Sequence, residues 1–189
     1  MTKPKVYLIH GFNLTDWGAE TTDKLRTYFE ASGYDVCELD YGFLFLLGVR
    51  FRNKKIAAKF ADQAEPGSVL VGHSNGCALI SLMAEKGLPI SRAVMIQPAL
   101  NKNWKPPNNV KGMAVYYNRR DRATWLAKFL VLHRWGAMGT YGPDYDDPRL
   151  SCIDVGRLGY FGHSVEFEHI EFWGPRIVAD VNVHLEESA

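Results

Sequence analysis

Short, continuously apolar runs alternate along this chain with longer amphipathic ones. Val69-Leu70-Val71 and Ala93-Val94-Met95-Ile96 are unbroken apolar stretches, the pattern of central parallel strands covered on both faces. Ser151-Cys152-Ile153-Asp154-Val155 alternates instead, which suits a strand nearer an edge. Six strands are predicted, over 5–10, 35–41, 68–72, 92–97, 112–118 and 150–155. Between them the apolar spacing turns helical. The stretch 17–32 carries Leu25, Tyr28 and Phe29 on one face and ends before Gly33, a suitable residue just past a helix C-terminus. The stretch 51–64 spaces Ile56, Ala57 and Phe60 and stops before Pro66-Gly67; 75–86 is closed by Gly87. Stretches 123–135 and 175–185 complete the predicted helices. Strands regularly separated by helices imply βαβ crossovers. The expected fold class is therefore α/β: a three-layer α/β/α sandwich with a mostly parallel sheet of about six strands, forming a single domain over residues 1–189.

Composition narrows the function classes. Of 189 residues, 47% are hydrophobic and 23% charged, and the net charge is +1, so no global field favours nucleic acid or an anionic membrane. No basic stretch with interleaved aromatics suggests a nucleic-acid surface. The three cysteines, Cys37, Cys77 and Cys152, lie far apart in apolar stretches. They read as reduced, buried thiols. The N-terminus runs directly into an apolar strand without a signal-peptide pattern, and the longest apolar run, 43–47, is too short to span a bilayer. A cytoplasmic location is the expectation.

The richest local pattern is Gly72-His73-Ser74-Asn75-Gly76. A buried strand precedes it and a helix follows, so Ser74 falls on a sharp turn that raises its side chain above the carboxyl edge of the sheet. Glycines two before and two after are required where side chains would strike the neighbouring strand and helix. The helix beginning at Asn75 sets its dipole and first N–H groups beneath any oxyanion. The plain alternative is a serine that caps the helix.

With these residues the chain resembles the α/β-hydrolase superfamily, and most resembles its small, single-domain members without elaborations. The likeness runs through most of the chain. Val6-Tyr7-Leu8-Ile9-His10-Gly11-Phe12-Asn13 is similar to the family's oxyanion loop, which implies backbone donors at Phe12 and Asn75. Asn13 is a candidate for substrate contact or for a turn. His10 reads as a residue that holds the loop.

Six histidines compete for the role of general base. His163, in the Gly-rich loop Gly159-Tyr160-Phe161-Gly162-His163-Ser164, lies where the resembled family places its base, and His169 is the runner-up. For the acid that orients the imidazole, Asp121 follows the strand at 112–118, and the order Ser74, Asp121, His163 matches the family's. Asp144, Asp146 and Asp147 compete, and Asp121 also suits a helix cap. Arg119, Arg120 and Arg122 flank Asp121; the default is a solvated basic surface, the sharper alternative a site for a substrate carboxylate at Arg119, with an arginine competing for Asp121.

Only residues 98–111 separate two strands where many family members insert a cap, so an open site is expected. The apolar stretch 42–48 is either a buried helix start or a pocket wall, with Phe43 and Phe45 as substrate contacts. The stretch 135–148 is a second candidate cover. No P-loop, dinucleotide fingerprint or metal motif is present, and no cofactor or metal is implied. The resemblance implies hydrolysis of a small-molecule carboxylic ester through an acyl-enzyme. Thioester or amide cleavage by the same machinery, and a non-catalytic binding protein on the same fold, stay open.

Overall fold

The computed structural model describes residues 3–11, 20–42, 46–121 and 136–187. All six expected strands are present: β1 (Val6–Ile9), β2 (Val36–Glu38), β3 (Ser68–His73), β4 (Ile90–Ile96), β5 (Met113–Tyr117) and β6 (Leu150–Asp154). They form one sheet in the order β2-β1-β3-β4-β5-β6. Every pairing is parallel. The described helices are α1 (Arg26–Ala31), α2 (Leu46–Gln63), α3 (Asn75–Glu85), α4 (Met138–Tyr141), α5 (Val165–Glu168) and α6 (Ile170–Glu187), with 3-10 turns at Thr22–Leu25 and Val155–Leu158. The helix expected over 123–135 lies outside the described residues.

Strand pleating divides the core in two. Leu70, Met95 and Val115 point to one face, where Phe60 of α2 and Leu79, Ile80 and Met83 of α3 cover them. Val69, Val71, Val94 and Ile96 point to the other, against Phe29 of α1 and Trp173, Ile177 and Val181 of α6. This is the period of two expected of strands, and it explains why β3 and β4 are apolar at successive positions. The sheet is the middle of three layers.

The order also locates a crevice. From β1 the chain steps outward to β2, then crosses to β3 on the opposite side of β1. The direction of winding reverses between β1 and β3, and parallel sheets bind ligands at the carboxyl ends of strands flanking such a reversal. His10 and Ser74 lie immediately beyond those two ends.

Three expectations need correction. Helix α6 begins at Ile170 rather than near Pro175, because Trp173, 1% exposed, packs on the sheet from the first turns. Pro175 is tolerated inside the helix on its exposed side, where water reaches the carbonyl left without a helical partner. The cysteines do not share one environment: Cys77 is buried, Cys37 partly so and Cys152 exposed. Cys152 sits on β6, the last strand in the sheet order. Helix α2 begins at Leu46 rather than at Phe51, inside the stretch 42–48, of which residues 43–45 lie outside the described residues. Among the described residues no helix is long and apolar enough to cross a membrane.

Trp173 is the largest fully buried side chain among the described residues and stands edge-on to Tyr116 at 6.0 Å and Tyr160 at 5.8 Å between ring centroids. Trp173→Ala is expected to cost about 3–5 kcal/mol of stability. Urea unfolding followed by circular dichroism measures it, and a loss under about 1 kcal/mol would show that α6 collapses into the space.

Candidate functional site

Ser74 follows β3 with φ +50° and ψ −112°, a left-handed conformation that a non-glycine residue holds only when its surroundings enforce it. The enforcement is visible. The Ser74 N–H donates to Ile96 O at 3.0 Å, and the Ser74 carbonyl accepts from Cys77 N–H at 3.2 Å and Ala99 N–H at 3.1 Å. A Cβ on Gly76 would collide with the carbonyl oxygens of Ile9 and His10, and one on Gly72 would lie 2.9 Å from Cys77 N. Ser74 occupies the capping position of α3, yet its side chain makes no cap hydrogen bond. The hydroxyl is not spent on the plain alternative.

Asp121 follows β5 and is 1% exposed. His163 follows the 3-10 turn after β6, and its Nδ1–H donates to Asp121 Oδ2 at 2.6 Å. A charge-assisted bond of this length fixes both the tautomer and the ring plane, leaving Nε2 as the basic nitrogen. Two of the three competing carboxylates are paired with cations, Asp144 with Lys102 at 2.7 Å and Asp147 with Arg149 at 2.7 Å. Arg119 reaches Asp154 at 3.2 Å, and Arg122 lies outside the described residues. Arg120 lies over the Phe161 ring. His169, the runner-up base, is exposed and packs on Tyr160.

His73 joins the two halves. It adjoins Ser74, its ring centroid is 4.8 Å from that of His163, and its Nε2–H donates to the His163 carbonyl at 2.9 Å. Complete burial, reinforced by the neighbouring His163, pushes the His73 pKa down to about 3, so it stays a neutral donor throughout the physiological range. Among the described residues Ser74 Oγ makes no hydrogen bond to His163; such contacts commonly tighten only with substrate in place.

The supporting polar groups were the least visible in the sequence. Asn118, wholly buried at the end of β5, donates from Nδ2 to Gly162 O at 3.2 Å and accepts the Arg120 N–H on Oδ1 at 3.0 Å. Its own carbonyl accepts from Asp121 N–H at 2.9 Å. One side chain therefore fixes both the Asp121 turn and the His163 loop. The described part of the 135–148 stretch supports the same turn, with Thr140 Oγ1 donating to Asp121 O at 3.2 Å.

Across the sheet, His10 Nδ1 contacts Gly11 O at 2.7 Å and Nε2 contacts Asp40 Oδ1 at 3.1 Å, while Tyr41 stacks on the ring and donates to Gly11 O. Asn53 Nδ2 donates to Asn75 Oδ1 at 2.8 Å. Asn53 had a legible signal, since it precedes Ile56, Ala57 and Phe60 on the apolar stripe of α2 and so is a polar residue in a buried position. A groove of about 370 Å³ opens beside Tyr41, floored by Ile56 and Phe60 and rimmed by Arg52, Lys55 and Lys59. Phe12, Asn13, Phe43 and Phe45 lie outside the described residues.

No family model and no curated protein matches the sequence. Solved structures do match the fold. A monoacylglycerol lipase from Paleococcus ferrophilus is similar with a TM-score of 0.62 at 12% identity, over 97% of this chain and 97% of that one. Mouse alpha/beta hydrolase domain-containing protein 10 gives 0.60 at 13% identity over 98% and 91%. The esterase domain of a Rhodothermus marinus protein gives 0.55 at 14% over 94% and 87%. The chain has the α/β-hydrolase fold.

His73 makes the folding equilibrium sensitive to acid. Its folded pKa lies near 3 against an ordinary 6.5, so the unfolded chain takes up a proton that the folded one refuses, and stability is lost as pH falls from 6.5 towards 3. Thermal unfolding across that range should show a shallower decline in His73→Gln than in the wild type; parallel curves would mean that His73 is accessible to protons when folded.

Proposed function

We propose that this protein is a serine hydrolase that cleaves carboxylic esters through an acyl-enzyme. The observation that carries the reading is the 2.6 Å contact between His163 and buried Asp121, formed beside a serine held at φ +50° with its hydroxyl uncommitted to a cap. In this reading Ser74 Oγ attacks the ester carbonyl as His163 Nε2 accepts its proton, and Asp121 stabilises the imidazolium. The Asn75 N–H, in the first turn of α3, donates to the developing oxyanion, with Phe12 as the second donor expected from the oxyanion loop. Each such donor contributes about 3 kcal/mol at the transition state. The alkoxide leaves with the proton from His163; water, deprotonated by the same nitrogen, then releases the acid and restores Ser74.

The groove beside Tyr41 is our choice for the acyl portion. It adjoins the oxyanion loop through the Tyr41 hydroxyl, and its floor is apolar. The fold similarity to an esterase domain and a monoacylglycerol lipase supports ester chemistry without specifying a substrate.

A fluorophosphonate probe tests the nucleophile. The wild type is expected to label covalently and Ser74→Ala not at all; an unreactive, folded wild type overturns the enzymatic reading. With a p-nitrophenyl ester, Asp121→Asn should reduce kcat by about 10⁴-fold, and His163→Ala by a comparable factor. Near-full turnover in either variant removes that residue from the mechanism.

Groove occupancy has its own test. Ile56→Trp narrows the floor and is expected to raise KM for longer acyl esters several-fold with little change in kcat for acetate. An unchanged KM places the acyl chain elsewhere.

A further inference from the structure

We propose that Glu166 is a positioning residue for Ser74 and His163, its carboxyl tying the segment that carries the base to the segment that holds the nucleophile. The proposal rests on the hydrolase reading above.

Glu166 lies on α5, just beyond His163, and is completely buried. Its Oε2 accepts a hydrogen bond from Gln97 Nε2 at 2.6 Å. Gln97 is also completely buried and has φ +43°. Among the described residues the only other non-glycine residue with a positive φ is Ser74. The two strained positions are neighbours: Gln97 directly follows Ile96, whose carbonyl receives the Ser74 N–H. The Gln97 N–H is in turn held by Tyr116 O at 2.8 Å on β5. A single side-chain pair therefore spans from the backbone that constrains Ser74 to the short helix that follows His163.

The protonation state of the clamp follows from its surroundings. Glu166 Oε1 and Gln97 Oε1 have no hydrogen-bond partner among the described residues. A protonated carboxyl and a primary amide are complementary, each offering a donor and an acceptor, whereas a carboxylate only accepts. Among the described residues the titratable groups bearing on Glu166 are acids: Asp121 after β5, Glu168 on its own helix, Cys77 on α3 and Tyr116 on β5. Burial above all, with Asp121 and Glu168 adding to it, raises the Glu166 pKa to about 8 against the backbone and Gln97 hydrogen bonds, which favour the carboxylate. Below that pH the carboxyl is neutral and the clamp is closed. Above it, a second buried negative charge forms near Asp121; the Gln97 Nε2–H still donates to it, but burial of the charge outweighs that bond and loosens the His163 segment from its support.

The test compares full-length wild type with Glu166→Gln, an uncharged residue of similar shape. With p-nitrophenyl acetate, corrected for spontaneous hydrolysis, the wild-type kcat/KM should fall to about a tenth of its plateau by about pH 9. Glu166→Gln should match the wild type within about twofold at neutral pH and keep its plateau. An alkaline fall of equal size in both proteins, or no fall in the wild type, overturns the proposal. Unfolding supplies a readout independent of catalysis. With a folded pKa above its ordinary 4.5, Glu166 stabilises the fold fully below that value and loses this contribution as pH rises through 8. The wild type should therefore lose melting temperature relative to Glu166→Gln over that range, and an equal dependence in both overturns the clamp. If neither ester turnover nor fluorophosphonate labelling occurs at any pH, the hydrolase reading fails separately and unfolding alone decides the role of Glu166.

Discussion

The approach of α3 to the end of β1 is the constraint on which the site depends. There is no room for a side chain at Gly76, because the carbonyls of Ile9 and His10 occupy the space. Once α3 lies that close, the chain leaving β3 must reverse within one residue, and Ser74 absorbs the reversal at φ +50°. The strain is of the order of 1–3 kcal/mol, and backbone hydrogen bonds to Ile96 and Ala99 hold it against relaxation. Because the parallel register pairs Ile9 with Gly72 and His73 with Ile96, the loop after β1, the turn after β3 and the segment after β4 meet at one point above the sheet.

Around that point the chain buries polar groups that the apolar core could not accept unpaired. On one side His10, Asp40, Tyr41, Asn53 and Asn75 form a connected set; on the other His73, Asn118, Asp121 and His163 do so. Such networks stiffen what they connect, and among the described residues they tie the segments carrying His10, Asn118, Asp121 and His163 to one another although little regular structure surrounds them. The pairing of Arg92 on β4 with Asp180 on α6 at 2.8 Å lies at the opposite end of β4 and belongs to the scaffold.

What was legible in the sequence was what local physics determines. Six strands could be read because apolar runs of strand length alternate with helical spacing, and Gly72 and Gly76 marked the turn because their need is steric and local. Asp121 and His163, which the structure brings into contact, were singled out as candidates by chain order, their place at strand ends and the resemblance. The short helices at Met138–Tyr141 and Val165–Glu168 have too few residues for a periodic pattern, and helix α6 overran Pro175 because the burial of Trp173 outweighs one missing backbone bond. Asn118, Gln97 and Glu166 were hidden for a different reason. Nothing near Gln97 in the sequence announces a left-handed residue, and a glutamate in the exposed-looking run Glu166-Phe167-Glu168 becomes a core residue only when the loop before it folds back over β4 and β5.

The electrostatics of this edge follow a single rule, that burial removes charge wherever a direct partner does not restore it. His73, fully buried, is driven neutral from below, with its pKa near 3. Glu166, equally buried, is driven neutral from above, with its pKa near 8. Between these limits both groups are uncharged, though each has an ionisable side chain. Asp121 is just as buried, but it faces an imidazole at 2.6 Å together with the backbone of its own turn. In the proposed mechanism a positive charge developing on His163 would meet Asp121 without a competing cation at His73 or a second anion at Glu166. The neutral neighbours make that field specific, and they do so only over the pH interval in which both stay neutral.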